Sequence, residues 1–260
     1  MSLSASSVAA ASAAWVWVPE NAVVVETDDY AMMRLPDYFD YHLAMLTFRP
    51  SGPLGTSVEA VLIRARSFGL PELRWQVGAE APDGLARELT ARGATVVLTL
   101  DVLASDLDGA APAITPPSVD VTLRWATDFE TARDGSGVGV SAFGGSLPPD
   151  ERIKDNAARD SVTVPEGDGG MVVAYVAGAL AGSGGVTVED GVARLWGGAV
   201  VPRARGQGVY RQLLATRLSY AAAHGATMAL VRGKSDTSGP ILRRAGFTAF
   251  GQETLYRVPL

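Results

Sequence analysis

A short glycine-rich segment, residues 203–210, reads Arg-Ala-Arg-Gly-Gln-Gly-Val-Tyr and has the residue types and spacing to bind an anion. It joins a strand-like run to an amphipathic run. A strand that ends in such a turn and opens a helix leaves several backbone N–H groups without internal partners. The helix dipole adds partial positive charge there, and Gly206 and Gly208 allow the backbone to approach a ligand closely. The segment therefore predicts a phosphate-binding loop.

The charge around this loop contrasts with that of the whole chain. The 260 residues contain 22 basic and 28 acidic side chains, for a net charge of −6, whereas Arg203, Arg205 and Arg211 surround the two glycines. A local basic cluster in an acidic protein favours a specific anion site. Two nucleotide-binding motifs are excluded, because no Lys-Ser/Thr pair follows the glycines and they do not form Gly-x-Gly-x-x-Gly.

Hydrophobic periodicity predicts the elements that position the loop. Alternating or β-branched apolar runs predict strands, and apolar residues three and four apart predict helices. Asp190-Gly191 between two strand-like runs predicts a tight hairpin, since a type I′ turn needs positive φ at both central residues. The predicted order is β-β-β-α-β-α-β, with strands at 171–176, 180–189 and 192–201, a helix at 210–223, a strand at 227–231, a helix at 238–245 and a strand at 248–258.

The N-terminal half repeats part of this order. Strands are predicted at 30–35, 41–48, 73–77 and 95–103, and helices at 56–68 and 83–91. In both halves a Leu lies four residues before a Gly, and a Thr lies two residues after it: Leu89, Gly93 and Thr95, then Leu242, Gly246 and Thr248. Matching order and matching spacing together predict a degenerate tandem repeat.

A proline-rich stretch, residues 108–118, separates the two halves. It contains three prolines and no periodicity, which disfavours both helix and inner strand. It is predicted to be a linker, so that the chain divides into residues 1–108, a linker at 109–118, and residues 119–260. A long surface loop within one domain is the alternative.

The loop and its surroundings resemble motif A of the GCN5-related N-acetyltransferases, the GNAT superfamily. The family pattern, Arg/Gln-x-x-Gly-x-Gly/Ala, corresponds to Arg205 through Tyr210, with Tyr210 in place of the final small residue. The resemblance covers residues 119–260 and includes a late helix followed by Gly246-Phe247. It implies a mixed α/β fold of the acyl-CoA N-acyltransferase (GNAT) type, built from two GNAT-like halves, of which the N-terminal one has lost the phosphate loop.

The resemblance also implies a co-substrate and a reaction. Backbone N–H groups of the loop would hold the pyrophosphate of acetyl-CoA, and the end of the preceding strand would part from its neighbour and pair with the pantetheine and the acetyl carbonyl. Acetyl would pass directly to a primary amine of a small molecule or peptide. The residues implied in coenzyme binding are Ala199, Val200, Val201, Arg205, Gly206, Gln207, Gly208, Val209 and Tyr210.

The catalytic acid and base are left open by the sequence. The family often has a Tyr where this chain has Leu242 and an Asn near Ser235, and no Glu lies within residues 192–201. The candidates are Glu189, Tyr175 and Tyr256. Structural roles are favoured for the two tyrosines. Two alternatives to an active N-acetyltransferase therefore stay open: a non-catalytic acyl-CoA-binding or regulatory module, and a mycothiol-synthase-like enzyme.

Composition narrows the remaining possibilities. The absence of Cys excludes disulfides, thiolate metal sites and an acetyl-cysteine intermediate, and with only His42 and His224 no metal is expected. The excess of acidic over basic residues disfavours a nucleic-acid partner. The sequence contains no run of about twenty apolar residues, so no membrane span is predicted. The first residues also lack the basic start of a signal peptide. A cytoplasmic protein is expected, and a homodimer stays possible.

Several other segments carry weaker predictions. Trp15 and Trp17 are assigned to one face of an edge strand, and Trp196 to packing near the coenzyme. The glycine-rich residues 135–149 are predicted to form a mobile wall of the acceptor pocket. Residues 48–55 of the N-terminal half hold two prolines where amide donors would be needed, so this half is predicted to bind no coenzyme. Solvent exposure is predicted for Asp128, Glu130 and Asp134, and structural roles for His42 and His224.

Overall fold

A computed structural model describes residues 3–108 and 118–260. All strands in these residues belong to one mixed sheet of eleven strands, which is covered by seven α-helices. The strands are β1 Val23–Glu26, β2 Tyr30–Arg34, β3 Leu43–Phe48, β4 Glu72–Val77, β5 Thr95–Asp106, β6 Val121–Trp125, β7 Gly169–Val176, β8 Ala179–Glu189, β9 Val192–Val200, β10 Met228–Lys234 and β11 Thr248–Pro259. The helices are α1 Ala5–Ala14, α2 Leu54–Arg66, α3 Leu85–Ala91, α4 Phe129–Phe143, α5 Asp150–Glu166, α6 Val209–Ala223 and α7 Ser238–Arg244.

The two halves exchange their last strands. The sheet order is β1-β2-β3-β4-β11-β5-β10-β9-β8-β7-β6. Thus β11, from the end of the chain, lies between β4 and β5 of the N-terminal half, and β5 lies between β11 and β10 of the C-terminal half; all three pairings are antiparallel. The flanking pairs β3–β4 and β9–β10 are both parallel. The sheet is therefore continuous across the two halves.

Helices cover the C-terminal part of the sheet on both faces. On one face α6 buries Leu214 and Leu218 against Leu195 of β9 and Val231 of β10. On the other face α4 and α5 pack on Val173 of β7. Helix α1 packs nearby on β5 and β10. Among the described helices, none combines the length and the apolar character of a membrane-spanning segment.

The predicted elements are confirmed, with shifts of a few residues at their ends. The predicted hairpin is also present, since Asp190 and Gly191 have φ of 51° and 75°. Residues 109–117 of the predicted linker lie outside the described residues, and the division at 109–118 stays a prediction.

Two segments differ from the sequence prediction. The edge strand predicted around Trp15 and Trp17 is wrong: an alanine-rich helix, α1, begins at a capping box on Ser4 and ends at Trp15, after which the chain is irregular. Alanine has the strongest helix propensity, which explains this helix. Of the mobile wall predicted at 135–149, residues 135–143 are helical and belong to α4 instead of forming a loop.

Helix α4 tolerates its glycines because one of them permits close packing. A Cβ on Gly135 would come within 3.0 Å of Val173 Cγ2 and closer still to Met171 Sδ, so a side chain here would push the helix off the sheet. Asp128 caps the helix by accepting a hydrogen bond of 2.9 Å from the Thr131 N–H. This hydrogen bond, with that of the Thr131 hydroxyl, holds the pKa of Asp128 below its ordinary value. The cap and the tight contact together explain a helix in a glycine-rich stretch.

Candidate active site

The predicted loop lies between β9 and α6. After β9 the chain makes one turn of 3-10 helix, Pro202–Ala204, and enters α6 at Val209. Gly206 and Gly208 have φ of 77° and 87°, in the left-handed region that favours glycine. Within the described chain, the N–H groups of residues 206–208 make no backbone hydrogen bond of normal geometry. Together with the first turn of α6, they form a group of free donors at a helix N-terminus.

The arginines of the loop have different roles. Arg203 donates to the carbonyl of Leu180 on β8 at 2.8 Å, so its side chain is tied to the sheet. Arg205 is exposed and its Nε donates to the Val200 carbonyl at 3.3 Å. Gln207 folds back on the Arg203 carbonyl at 3.0 Å. Arg205 is the arginine adjacent in sequence to the free N–H groups of residues 206–208.

Strand β9 parts from β10 before it reaches the loop. The two parallel strands pair at four positions, the last of which joins Leu195 to Val231. Beyond this point β9 pairs only with β8, and a bulge interrupts that pairing between Ser183 and Gly185. The end of β9, which includes Ala199 and Val200, therefore has backbone groups that face an open gap.

A buried arginine supports the bulge from the α6 side. Arg217 is 2% exposed; its Nε donates to the Leu213 carbonyl at 3.0 Å and its Nη1 to the Gly185 carbonyl at 3.2 Å. A Cβ on Gly198 would lie 3.1 Å from Tyr210 Cε2 and 3.4 Å from Arg217 Nη2. The Tyr210 ring is thus directed inward, against the bulge. Burial raises the pKa of Tyr210 and lowers that of Arg217, and their mutual hydrogen bond opposes both shifts.

A cavity of about 1120 Å³ lies on the opposite face of the sheet. Both halves of the chain line it, with residues from α1, α4, α5, β3, β4 and β11. Trp196, on β9 where the strands part, faces this cavity, and its indole N–H donates to Thr187 Oγ1 at 3.1 Å. Trp196 therefore lines the cavity in addition to packing on the sheet.

The connector between α4 and α5 joins the two halves over this cavity. The Ser146 N–H donates to the Tyr38 carbonyl at 3.0 Å, and Arg152 pairs with Glu20 at 2.7 Å. Residues 144–149 are thus attached to the N-terminal half. The cavity has the sheet as its floor, helices as its walls and this connector above it.

Sequence and structure comparisons agree with this geometry. Residues 131–257 match the family described as "Acetyltransferase (GNAT) domain". The C-terminal half of the chain belongs to the GNAT superfamily. The comparison with curated protein sequences found no significant match to this chain.

Solved structures share the fold over nearly the whole chain. A GCN5-related N-acetyltransferase from Kribbella flavida is 18% identical, with a TM-score of 0.66 over 100% of this chain and 97% of its own. One from Sphaerobacter thermophilus is 20% identical, with a TM-score of 0.65 over 88% and 76%. A tandem GNAT protein from the clavulanic acid biosynthesis pathway is 19% identical, with a TM-score of 0.63 over 94% and 85%. The chain therefore has the GNAT acyltransferase fold, as its sequence predicts.

The three candidates for catalytic side chains in the GNAT domain lie away from the cavity lining. Glu189 pairs with Arg194 at the end of β8 and β9 opposite to the loop. Tyr256 is 9% exposed and packs in the core of the N-terminal half. Tyr175 donates to Asp134 Oδ2 at 2.7 Å, so Asp134 is a hydrogen-bond partner and not only a solvated residue. Burial and Asp134 raise the pKa of Tyr175 from 10.0 to about 12.

We expect Tyr175→Phe to leave acetyl transfer at neutral pH within about twofold and to lower the free energy of unfolding by about 1 kcal/mol, the usual loss for one hydrogen bond. The raised pKa stabilises the fold below the ordinary tyrosine pKa, and this contribution is lost as the pH rises towards about 12. Ultraviolet titration of the phenols and denaturant unfolding measure both effects. A large loss of kcat with unchanged stability would make Tyr175 catalytic.

The sequence did not identify two carboxylates of the GNAT domain that lie in the cavity wall. Asp160 on α5 is 3% exposed and accepts from the Met171 N–H at 2.9 Å; burial raises its pKa. Glu253 on β11 is 7% exposed and pairs with Arg232 at 3.0 Å and with the Ser12 hydroxyl at 2.7 Å. Glu253 carries no sequence signal because its partners, Ser12 and Arg232, lie in other parts of the chain, and Asp160 reads in the sequence as one more charged residue of a helix.

The positions of the missing family residues have structural roles here. Leu242 is fully buried in the core beneath α6. Ser235 donates to Asp101 Oδ1 at 2.8 Å, and Arg243 contacts Asp101 Oδ2 at 2.6 Å. Asp101 is fully buried and lies on β5, the strand that the N-terminal half contributes. The exchanged strand thus anchors α7 of the GNAT domain.

The equivalent loop of the N-terminal half differs as its sequence suggests. Pro53 occupies the N-cap position of α2 and provides no N–H donor. Strands β3 and β4 pair only at Ala44 and Arg74. The rings of Phe48 and Trp75 meet edge to face, with centroids 5.0 Å apart, where these strands diverge. Among the described residues no group of three or more His, Asp or Glu side chains could hold a metal ion in either half.

Proposed function

We propose that this chain is an acetyl-CoA-dependent N-acetyltransferase that transfers acetyl directly to a primary amine. The observation that carries the proposal is the separation of β9 from β10 immediately before a loop of free amide donors, with a large cavity on the other face of the same gap. The gap gives a thioester access from the loop side and an amine access from the cavity side.

The loop residues fit the phosphate end of acetyl-CoA. The free N–H groups at 206–208 precede the first turn of α6, and Arg205 adds a charge beside them. A pyrophosphate bound there gains both hydrogen bonds and the helix dipole. Val209 and Tyr210 contribute through their backbone N–H groups, because the Tyr210 side chain is directed at Gly198.

The end of β9 fits the thioester end. Backbone groups from Ala199 to Val201 would pair with the pantetheine amides, and an N–H group beside the bulge would polarise the acetyl carbonyl. The amine nitrogen attacks the carbonyl carbon, the carbon–sulfur bond breaks, and the thiolate leaves with a proton. The proton that the amine loses departs through the cavity, whose wall carries Asp160 and Glu253.

One observation favours a second candidate, a non-catalytic acyl-CoA-binding module. Leu242 and Ser235 are engaged in the core and with Asp101, so neither supplies the proton donor that the family often has there. The Tyr210 side chain also fills space beside the gap. Under this second candidate the protein binds the coenzyme but does not transfer acetyl.

We expect calorimetry to show one acetyl-CoA bound per chain, because residues 206–208 before α6 offer free amide donors, whereas Pro53 at the N-cap of α2 offers none. The same protein should release CoA thiol in the presence of amines and not in their absence. Coenzyme binding without release on any amine would favour the binding module. Two equivalent coenzyme sites per chain would contradict the proposed loss of the loop in the N-terminal half.

A further inference from the structure

The aromatic residues of this chain are concentrated around the cavity. The sequence has five Trp, seven Tyr and seven Phe. Ten of these 19 line the cavity, including four of the five tryptophans: Trp15, Trp17, Trp75 and Trp196. The fifth, Trp125, packs instead on Tyr220, with centroids 4.7 Å apart. The core under α6, by contrast, consists mainly of Leu, Val and Ala.

Several of these rings are available to a ligand. Trp17 is 54% exposed and Phe143 is 49% exposed, and both lie at the cavity lining. The Trp17 ring meets the Phe39 ring at 5.7 Å in a T-shaped arrangement. Trp196 lies across Gly185, where any Cβ would overlap its ring. The aromatic surface thus extends from the gap between β9 and β10, at Trp196, to the mouth of the cavity, at Trp17.

Six of the eleven charged side chains in the same wall neutralise each other in three ion pairs, and the other five, Asp40, Glu80, Asp168, Arg49 and Arg74, are of both signs. Glu20 pairs with Arg152 at 2.7 Å, Asp160 with Arg159 at 3.0 Å and Glu253 with Arg232 at 3.0 Å. Each pair brings a carboxylate and a guanidinium from the cavity lining together. A wall of this kind offers stacking and apolar contact along its length instead of a field of one sign. A strongly charged acceptor, such as a polyamine or a sugar phosphate, is therefore disfavoured.

We infer that the acceptor is an amine attached to a flat, bulky apolar body, the arylalkylamine class. This inference rests on the proposed function and names its substrate. Rings gain by stacking on ring faces and edges, and an ammonium group is attracted to the face of an indole before it loses its proton. A cavity of about 1120 Å³ accommodates such a body together with the acetyl group. Trp196 holds the body beside the thioester, and Trp17 and Phe143 hold its far end.

The test compares 2-phenylethylamine and 1-naphthylmethylamine with ethanolamine and putrescine. We expect kcat/KM for the aromatic amines to exceed that for ethanolamine by about tenfold or more, since one ring contact is worth about 1 kcal/mol beyond its buried area. 2-Phenylethylamine should also quench the tryptophan emission of the protein, with or without coenzyme. This second measurement does not depend on acetyl transfer.

Variants locate the effect in the cavity. Trp17→Ala should reduce kcat/KM for 1-naphthylmethylamine by about tenfold and leave that for ethanolamine within about twofold, whereas Trp196→Ala, beside the bulge, should reduce kcat/KM for 1-naphthylmethylamine about tenfold more than that for ethanolamine. Trp17 is exposed, so its variant keeps the fold even if Trp196→Ala does not. Trp125→Phe, outside the cavity, should change neither value.

The possible results separate the inference about the acceptor from the proposed acetyl transfer. Equal kcat/KM for aromatic and polar amines, or no quenching and no transfer, overturns the inference about the acceptor. Quenching by 2-phenylethylamine that is lost in Trp17→Ala, without transfer to any amine, supports the aromatic site and overturns the proposed enzyme. Preference for putrescine overturns the inference and leaves the acetyltransferase intact.

Discussion

Replacing Gly208 by valine is expected to raise the dissociation constant of acetyl-CoA by about 100-fold or more while the protein stays folded. Gly208 has φ of 87° and is the N-cap of α6. A β-branched side chain resists this conformation at a cost of about 1–3 kcal/mol, so the backbone relaxes and its amide donors turn away from the phosphate site. Loss of two charge-assisted hydrogen bonds accounts for a change of this size.

The matched control is Gly225→Val at the other end of the same helix. Gly225 has φ of 81°, and no atom lies within 4 Å of the position of its missing Cβ. It therefore carries a similar backbone strain without any place in the coenzyme site. Calorimetry should show a large loss of affinity for Gly208→Val only, and denaturant unfolding a similar destabilisation for both. Unchanged affinity in Gly208→Val would remove the loop from the proposed site.

Replacing Arg217 by methionine is expected to lower the free energy of unfolding by about 3 kcal/mol and kcat/KM by about 100-fold. The guanidinium donates to the carbonyls of Leu213 and Gly185 in a site that water does not reach, and a hydrogen bond from a charged donor contributes about 1.5–3 kcal/mol. Without it the bulge loses its support from α6. The acetyl carbonyl would then meet donors that are displaced from the productive geometry.

Arg194→Met provides the comparison for this variant. Arg194 is also on the sheet, is 8% exposed and pairs with Glu189, but it lies before the point where β9 and β10 part. Its loss should destabilise the protein without affecting acetyl-CoA affinity. Thermal unfolding and steady-state kinetics on both variants separate the two effects. Equal kinetic losses in Arg194→Met and Arg217→Met would mean that the bulge has no special role.

The local part of the fold was predictable because local chemistry dictates it. The periodicity of α6, the Asp190-Gly191 turn and the glycines of the loop each act within a few residues, and the structure confirms all three as structural features. Helix α1 was missed because alanine and serine carry no hydrophobic periodicity, although Ser4 caps the helix. Helix α4 was not predicted because its glycines favour a loop unless close packing on a neighbouring strand stabilises the helix.

Of the candidate site, the sequence predicted the glycine-rich loop but not the cavity. The loop depends on consecutive residues, whereas the cavity combines Trp17 near the N-terminus, Trp196 on β9 and Glu253 near the C-terminus. No pattern in a single segment predicts such a meeting. It results from the positions of β5 and β11 in the sheet, which no local propensity encodes. The same reason explains why Asp101 could not be recognised as the partner of Ser235.

The exchange of β5 and β11 has a consequence for the nascent chain. About 140 residues separate the end of β5 from the start of β11, so the ribosome needs on the order of 10 s to supply the last partner at ordinary rates of synthesis. Both long sides of β5 are unpaired until β10 is made, and one side of β5 and one side of β4 stay unpaired until β11 is made; such edges join wrong partners most readily. Neither half can complete its sheet alone. The twelve-residue strand β11 therefore joins the two halves of the sheet after the other described strands have been made, and a chain cut before Thr248 keeps unpaired edges on β4 and β5.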